Sequence, residues 1–246
     1  MDNLVASPCC NPEMTLEEVL EAYSAIGFRK FEVFTSWVAS AFDIDRDPPF
    51  YLDAAAAAGM RFTSLHLPPV DEADEGSVER AVAGVRFAQA IGAGIVLYKG
   101  KTRSDHIQFA PFVLDEAEDV GVTAVIQNHA GTAINDLDDV REVRRGVADE
   151  RLKTLLEVGH FHTAGVGWRE AADALGDSIA LVHVKDQVGP QSVPFGAGEI
   201  DLPALFAHLR GMGYDGDYVI EMEVKDRGNT LQYLADAVRY VRQRCT

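Results

Sequence analysis

Side chains that commonly bind divalent metals follow four apolar segments in the second half of the chain. They are Gln127, Glu157, His183 and Glu221, which are 30, 26 and 38 residues apart. Each interval is long enough for a helix that connects one strand to the next parallel strand. Carboxylate, amide and imidazole groups are ligands that suit Mn²⁺, Mg²⁺, Co²⁺ or Zn²⁺. We therefore expect one divalent metal ion at these positions, provided that the four segments are neighbouring strands.

Short apolar segments alternate with amphipathic stretches along the whole chain. Several of the apolar segments are nearly continuous runs of β-branched and aliphatic residues, which is typical of parallel strands covered on both faces. The alternation predicts a single α/β domain over residues 1–246, folded as a (β/α)8 TIM barrel with a parallel eight-stranded core. The predicted strands are 3–8, 30–35, 61–67, 94–100, 122–129, 152–159, 179–186 and 217–224.

The connections between the predicted strands carry helix start and stop signals. Thr15 and Glu18 have the spacing of a capping box, and Gly27 is the expected end of that helix. Asp201 is the expected N-cap of a later helix, with Pro203 in its first turn. A doubly wound open sheet is the rival architecture. It usually has a glycine fingerprint after its first strand, and "SPCCNPE" is not one, so the barrel is favoured.

The alternation of side chains along a strand predicts which residues point into the barrel. The chemistry of such barrels lies at the C-terminal ends of the strands. A single polar residue there is more often structural than functional, but the four candidate ligands share one parity on successive strands, which favours a site. The sets that share a face are Ser64 and His66; Val125, Gln127 and His129; Leu155 and Glu157; Leu181, His183 and Lys185; and Val219, Glu221 and Glu223.

Several other residues near the strand ends are candidates for substrate binding. His66 ends the third strand, where it would either hydrogen-bond substrate hydroxyl groups or cap the following loop. Lys99 follows the fourth strand with favourable parity and could hold a carboxylate, an enolate oxygen or a phosphate, whereas Lys101 and Arg103 fit a solvated loop better. His129, after the fifth strand, is a further candidate.

Two aromatic residues follow the predicted second strand. Phe34 and Trp37 would stack against a sugar ring or serve only in packing, which is the commoner role. Glu32 shares the face of Phe34 and would lie deeper in the barrel. Glu223, two residues beyond Glu221, is expected to support that residue from beside the site.

The chain is acidic, with a formal net charge of −17 at pH 7, and no cluster of basic residues stands out. A nucleic-acid-binding protein usually has a basic face, and this charge also disfavours a highly anionic substrate. The three cysteines, Cys9, Cys10 and Cys245, form neither a disulfide framework nor a zinc pattern. No signal peptide or membrane-spanning segment is visible. We expect a cytoplasmic protein without a nucleic-acid or membrane partner.

Four segments of the chain, "VIQNHAG", "EVGHFHTAG", "HVKD" and "PFGAGEIDLPALFAHLRGMGYDGDYVIEME", resemble the xylose isomerase-like TIM-barrel superfamily of sugar isomerases and epimerases. The resemblance covers essentially the whole chain, and its last segment is the most specific. It implies a barrel that binds one divalent metal through a glutamate, an aspartate, a histidine and a second glutamate. These ligands fall on Gln127, Glu157, His183 and Glu221, of which only the last two match in residue type.

The two departures from the family pattern bear on mechanism. Gln127 stands where the family has a glutamate, so the site has one negative charge fewer. An amide also has no useful basicity near neutral pH. Glu157 keeps the charge of the usual aspartate but reaches one methylene further. The two-glutamate epimerisation of the family is therefore disfavoured. One base can still remove a proton next to a carbonyl beside a bound metal, which leads to isomerisation or β-elimination.

The candidate catalytic residues are Glu221, Glu157, His160 and Lys185. Glu221 is the candidate base, and Glu157 serves both the metal and the reaction. His160 and Lys185, together with His129, are the candidate acids. His160 occupies the position of the histidine in the "GH" pair of the family.

Three functional interpretations follow from these residues. The leading one is a metal-dependent isomerase, epimerase or lyase that acts on a small carbohydrate or keto-sugar. The second is a metal-free sugar-binding or regulatory relative, motivated by Gln127 and Glu157. The third is a DNA-repair nuclease like endonuclease IV, which needs more metal ligands and a basic surface and is testable by a DNA gel shift. Barrels of this family often form homo-oligomers, but no contact surface is visible in the sequence.

Overall fold

Eight parallel strands close into a barrel in the computed structural model of the protein, which describes residues 3–245. The strands are β1 (Leu4–Ala6), β2 (Lys30–Val33), β3 (Arg61–His66), β4 (Ile95–Leu97), β5 (Thr123–Gln127), β6 (Lys153–Glu157), β7 (Ile179–Val184), β8 (Asp186–Val188), β9 (Gln191–Val193) and β10 (Tyr218–Ile220). The order around the barrel is β1-β10-β7-β6-β5-β4-β3-β2, and β1 pairs with both β10 and β2. The predicted (β/α)8 barrel is therefore confirmed, and the open doubly wound sheet is excluded.

Helices connect the barrel strands and cover the outside of the sheet. They are α1 (Leu16–Ile26), α2 (Pro48–Ala57), α3 (Ser77–Ala90), α4 (Arg103–Val120), α5 (Leu137–Val147), α6 (Val158–Thr163), α7 (Trp168–Leu175), α8 (Leu202–Gly211) and α9 (Thr230–Arg244). Short 3₁₀ helices lie at Pro8–Cys10, Gly176–Ser178 and Arg227–Asn229. Within the described part of the chain, no helix combines the length and apolar character needed to cross a membrane.

The predicted helix signals act where the sequence places them. Thr15 and Glu18 form the capping box of α1, and Gly27 ends that helix with a φ of 111°, a left-handed conformation that suits glycine. Asp201 accepts a hydrogen bond from the backbone N–H of Ala204 at 3.0 Å and caps α8. Local side-chain chemistry therefore sets the start of both helices.

The inside of the barrel is filled by one layer of aliphatic side chains. These residues form a hydrophobic cluster separate from the larger core between sheet and helices, and each is at most 1% exposed. The layer closes the barrel below the strand ends, so polar groups further along the same faces must emerge above it. The strand parity predicted from the sequence is confirmed. The members are Val5, Leu97, Val125, Leu155, Leu181 and Val219.

Two features differ from the sequence-based expectation. The segment after Glu157, predicted as strand and loop, is the short helix α6, and the Glu157 side chain accepts a hydrogen bond from the N–H of Gly159 at 3.1 Å at its start. The segment after β7 forms an antiparallel hairpin of β8 and β9, which lies outside the barrel. Both features connect strand ends to helices, where alternation of apolar residues carries little information.

Candidate active site at the barrel mouth

The residues predicted to act on a metal or substrate meet at the C-terminal ends of the strands. They surround a cavity of about 70 Å³. Glu157 and His183 do not line the cavity and are fully buried, but His183 contacts both Glu157 and the lining residue Glu221. The structure thus brings all of the candidate site residues together. The cavity is lined by Cys9, Phe34, Trp37, His66, Lys99, Gln127, His129, His160, Lys185, Glu221 and Glu223.

Two of the candidate metal ligands converge on a ring nitrogen of a third. His183 Nδ1 lies 3.1 Å from Glu157 Oε2 and 3.2 Å from Glu221 Oε1. The barrel register positions them, because Glu157 pairs with His183 across β6 and β7, and His183 pairs with Val219 of β10. One donor atom from each of the three residues lies within 4.8 Å of the others. This is a set of one nitrogen and two carboxylate oxygens that can hold a divalent cation.

The opposite nitrogen of His183 contacts Glu32 on β2. His183 Nε2 lies 3.0 Å from Glu32 Oε1, which also accepts a hydrogen bond from Ser64 Oγ at 3.0 Å. Ser7 Oγ donates to Glu32 Oε2 at 3.2 Å, and His66 Nε2 lies 3.3 Å from the same oxygen. Glu32 is therefore a fully buried carboxylate with four polar neighbours. It fixes the orientation of the His183 ring, as carboxylates do behind metal-binding histidines.

Burial and neighbouring groups determine the charges of His183 and Glu32. Burial alone would lower the pKa of His183, but Glu32 and Glu221 together raise it well above its usual value. Burial likewise opposes ionisation of Glu32, yet His183 and His66 hold its pKa below the usual range. His183 and the carboxylates around it therefore form a buried ion pair.

Lys185 forms a second buried ion pair. Its Nζ lies 2.8 Å from Glu221 Oε2 in an ion pair and donates a hydrogen bond to Glu223 Oε2 at 2.9 Å. Burial would lower the pKa of Lys185, but the adjacent carboxylates raise it well above its usual value. Burial raises the pKa of Glu221, whereas Lys185 and His183 lower it well below the usual range. Lys185 is consequently charged throughout the neutral pH range.

Lys99 and His66 form a different kind of contact. Lys99 Nζ lies 2.8 Å from His66 Nδ1. Burial, reinforced by Lys99, lowers the pKa of His66 to about 4, so the ring is neutral near pH 7 and accepts a hydrogen bond from the ammonium. Burial also lowers the pKa of Lys99. Phe34 packs on the His66 ring with centroids 4.0 Å apart and holds its plane.

The remaining mouth residues form the rim of the cavity. Trp37 is 61% exposed, has a left-handed φ of 56°, and contacts Phe34 with ring centroids 5.4 Å apart. The rings of His129 and His160 lie 3.8 Å apart, and burial lowers the pKa of His160 to about 4. Gln127 Nε2 donates toward Glu157 Oε2 at 3.4 Å. A left-handed tryptophan is sterically costly, and such strain is common at functional sites.

The basic residues after Lys99 lie outside the mouth cavity. Lys101 is exposed, and its Nζ lies 3.6 Å from Asp71 Oδ2. Arg103 forms an ion pair with Asp139. Both therefore have the surface role that their positions in the sequence suggest.

Sequence reasoning underestimated Glu32 and did not place Cys9 in the site. The available signal for Glu32 was its shared face with Phe34, which predicted depth in the barrel but no partner. Its contact, His183, is 151 residues away in the chain. Cys9 lines the cavity from the 3₁₀ helix after β1. No spacing in the sequence marks either contact.

Comparisons with known proteins agree with this architecture. The chain is 25% identical over 152 residues to the inosose dehydratase of Geobacillus thermodenitrificans. This match covers 53% of this chain and 51% of that enzyme. The chain is also 40% identical over 68 residues to the L-ribulose-5-phosphate 3-epimerase UlaE of Salmonella paratyphi C. This match covers 27% of this chain and 24% of that enzyme. The matches thus span about half or less of the length of these relatives.

A solved structure and a family profile cover nearly the whole chain. The structure of the IolI protein with a zinc atom superposes with a TM-score of 0.80 at 16% identity, over 99% of this chain and 98% of the other. Identity this low supports the fold alone. The profile described as xylose isomerase-like TIM barrel matches residues 20–244. The chain therefore belongs to the xylose isomerase-like TIM-barrel family.

Proposed function

We propose that the protein is a divalent-metal-dependent enzyme that removes a proton next to a carbonyl of a carbohydrate or keto-sugar. The observation that carries the proposal is the convergence of Glu157 and Glu221 on His183 Nδ1 at the barrel mouth. The named relatives, a dehydratase and an epimerase of sugar-like compounds, support an enzyme of this broad class. We propose further that residues 1–246 act as one catalytic domain.

The proposed metal ligands are Glu157, His183 and Glu221, with Gln127 as a neutral fourth ligand through its amide oxygen. The residues fit a divalent ion, because two carboxylates balance its charge and His183 Nε2 is already held by Glu32. The chemistry of the donor set is compatible with Mn²⁺, Mg²⁺, Co²⁺ or Zn²⁺. The zinc atom in the IolI structure supports a metal in a barrel of this fold.

Glu32 provides a test of this metal site from behind His183. The substitution Glu32→Gln keeps the size of the side chain but removes the negative charge that faces His183 Nε2 at 3.0 Å. We expect the affinity for added Mn²⁺ to fall by about 10- to 100-fold, because such carboxylates orient the ligand and raise its basicity. Isothermal titration measures the change. Glu116→Gln is the matched control, because Glu116 pairs with Arg86 on the outer helices. Equal Mn²⁺ affinities in the two variants would show that Glu32 does not support the metal site.

The residues of the chain have distinct roles in the proposed reaction. A bound divalent metal would polarise the substrate carbonyl and stabilise the charge that develops on its oxygen. Glu221 is the proposed base. Lys185 Nζ pairs with it at 2.8 Å, and the neighbouring carboxylates raise the pKa of Lys185 well above its usual value, so Lys185 keeps its proton and fits the role of orienting Glu221 better than that of the acid. His160 is neutral, because its pKa is about 4, and it fits a hydrogen-bonding role at the substrate.

The proposed reaction is an isomerisation or a β-elimination. A two-base epimerisation needs a second base on the other side of the substrate carbon, and Gln127 has no useful basicity at that position. His66, Lys99 and His129 are the proposed polar contacts to the substrate, and Phe34 with Trp37 the proposed apolar wall. The similarity to inosose dehydratase supports elimination of water as one form of this reaction.

Removal of the metal tests the proposal directly. The protein is treated with a chelator, dialysed, and assayed in D₂O with a panel of ketoses and inososes after addition of Mn²⁺, Mg²⁺, Co²⁺ or Zn²⁺. NMR detects exchange of the proton next to the carbonyl even when the final product is not known. We expect exchange or turnover with at least one metal and none after chelation. Sugar binding without exchange under every metal condition would contradict the enzyme proposal.

A metal-free sugar-binding or regulatory protein is the second candidate function. The observation that favours it is the Lys185 ammonium, which already neutralises Glu221 at 2.8 Å. Gln127 removes one further charge that would otherwise attract a metal. This candidate predicts sugar binding that is unchanged by the chelator, so the same assay distinguishes the two functions.

A further inference from the structure

Two lysine ammonium groups reach the mouth cavity, and they differ in their partners. Lys185 Nζ lies between the carboxylates of Glu221 and Glu223. Lys99 Nζ contacts His66 Nδ1 at 2.8 Å, and in the described chain no carboxylate oxygen lies within ion-pair distance of it. His66 is neutral near pH 7 and does not balance the charge. Among the described residues, Lys99 is therefore the cation of the site that has no carboxylate within ion-pair distance.

Lys99 is half-buried, and an ammonium that is partly withdrawn from water without a direct counter-ion is stabilised when an anion arrives. This burial also lowers the pKa of Lys99. The other charged groups at the mouth are engaged with one another: Glu32 with His66 and His183, and Glu221 with His183 and Lys185. Glu32 and Glu221 therefore act on Lys99 only from beyond ion-pair distance, and a ligand in the cavity can supply the direct counter-charge.

We propose that Lys99 binds a carboxylate group of the substrate, so that the substrate is a polyhydroxylated keto acid rather than a neutral keto-sugar. This inference rests on the proposed function, because it names the substrate class of the same site. Lys99 has three N–H donors, and one of them is directed to His66. The other two remain for the oxygens of the ligand. Phe34 holds the His66 ring and thereby orients the ammonium.

The lining of the cavity favours a carboxylate over a phosphate. Arginine forks and helix N-termini are the usual partners of phosphate groups, and no arginine is among the residues that line this cavity. The net charge of −17 also repels a doubly charged group more strongly than a singly charged one.

Binding of matched sugar derivatives tests the proposal. Each pair consists of an alditol and the aldonate of the same carbon number, and the aldose phosphate of that length serves as the third probe. Isothermal titration is performed on the wild type, Lys99→Met, Lys99→Arg and the control Lys101→Met, with Mn²⁺ present. Lys101 is an exposed lysine two residues away that lies near Asp71 and does not line the cavity. Thermal unfolding of each variant reports on its fold.

The expected result is a carboxylate preference that depends on Lys99. Wild type and Lys101→Met should bind an aldonate about 10- to 100-fold more tightly than its alditol, the range expected for a hydrogen-bonded ion pair in a cavity. The preference should disappear in Lys99→Met and persist in part in Lys99→Arg. Aldonates also chelate divalent metals, so a preference that survives in Lys99→Met would come from the metal and would overturn the proposal. Tighter binding of the phosphate than of the aldonate, or no preference in the wild type, would also overturn it.

Failure of this inference is distinguishable from failure of the proposed function. The binding assay needs no turnover, and the exchange assay in D₂O needs no carboxylate. Proton exchange on neutral ketoses with no carboxylate preference would support the proposed enzyme and refute the role of Lys99. A Lys99-dependent preference without metal-dependent exchange would support the anion site and refute the proposed enzyme.

Discussion

Replacement of His183 or Glu221 by alanine is expected to abolish stoichiometric metal binding. His183 Nδ1 is the atom on which the two carboxylates converge, at 3.1 and 3.2 Å, so its loss removes the only nitrogen of the proposed donor set. Loss of Glu221 removes one of the two charges that balance the metal. We expect the affinity for Mn²⁺ to fall by more than about 100-fold in each variant, since even indirect partners of a metal ligand contribute about 10- to 100-fold.

The measurement is metal content by mass spectrometry on protein purified without a histidine tag, repeated after addition of Mn²⁺ and Mg²⁺. His208→Ala is the matched control, because His208 lies on α8 and pairs with Asp173 outside the mouth. Glu221→Gln keeps the size of the side chain and separates loss of a ligand from loss of packing. About one metal per chain that persists in both alanine variants would show that the metal lies elsewhere.

The substitution Asp186→Ala is expected to lower the free energy of unfolding by about 3 to 5 kcal/mol. Asp186 is 1% exposed, and its carboxylate accepts four backbone hydrogen bonds. The donors are the N–H groups of Gln187, Gly196, Gly198 and Ile200, at 3.0, 2.8, 3.0 and 3.3 Å. Alanine would leave these donors without their acceptor, and the loop between β9 and α8 would lose its anchor.

The midpoint of urea unfolding measures this effect. Asp53→Ala, at an exposed aspartate on α2, is the control and should change stability by less than about 0.5 kcal/mol. Gly198→Ala tests the same contact from the other side, because an added Cβ would collide with the Asp186 carboxylate. A midpoint for Asp186→Ala that equals that of the control would refute the anchoring role.

The barrel itself was predictable from local patterns. Each strand shows as an apolar run of the right length, and the period of two residues separates inward from outward side chains. Val125, Leu155, Leu181 and Val219 therefore fell correctly into the inner layer. The capping box of Thr15 acts within four residues of chain, which is why it also could be read from the sequence.

The same periodicity predicted which side chains emerge at the mouth. Gln127, Glu157, His183 and Glu221 follow the inner layer on the same faces, and the structure brings them to one end of the barrel. Their assignment as metal ligands remains a proposal, because residue type and face say which groups meet but not what they bind.

The partners of these side chains were decided by the tertiary structure alone. Glu32 meets His183 from the far side of the barrel, Lys185 inserts between Glu221 and Glu223, and Lys99 is left with His66. Periodicity specifies the face of a strand but not the rotamer of a side chain or its distance across the barrel. Those distances depend on closure of the sheet through pairing of β1 with β10, which joins residues more than two hundred positions apart. The electrostatics of the mouth follow from that closure, and the local sequence does not encode it.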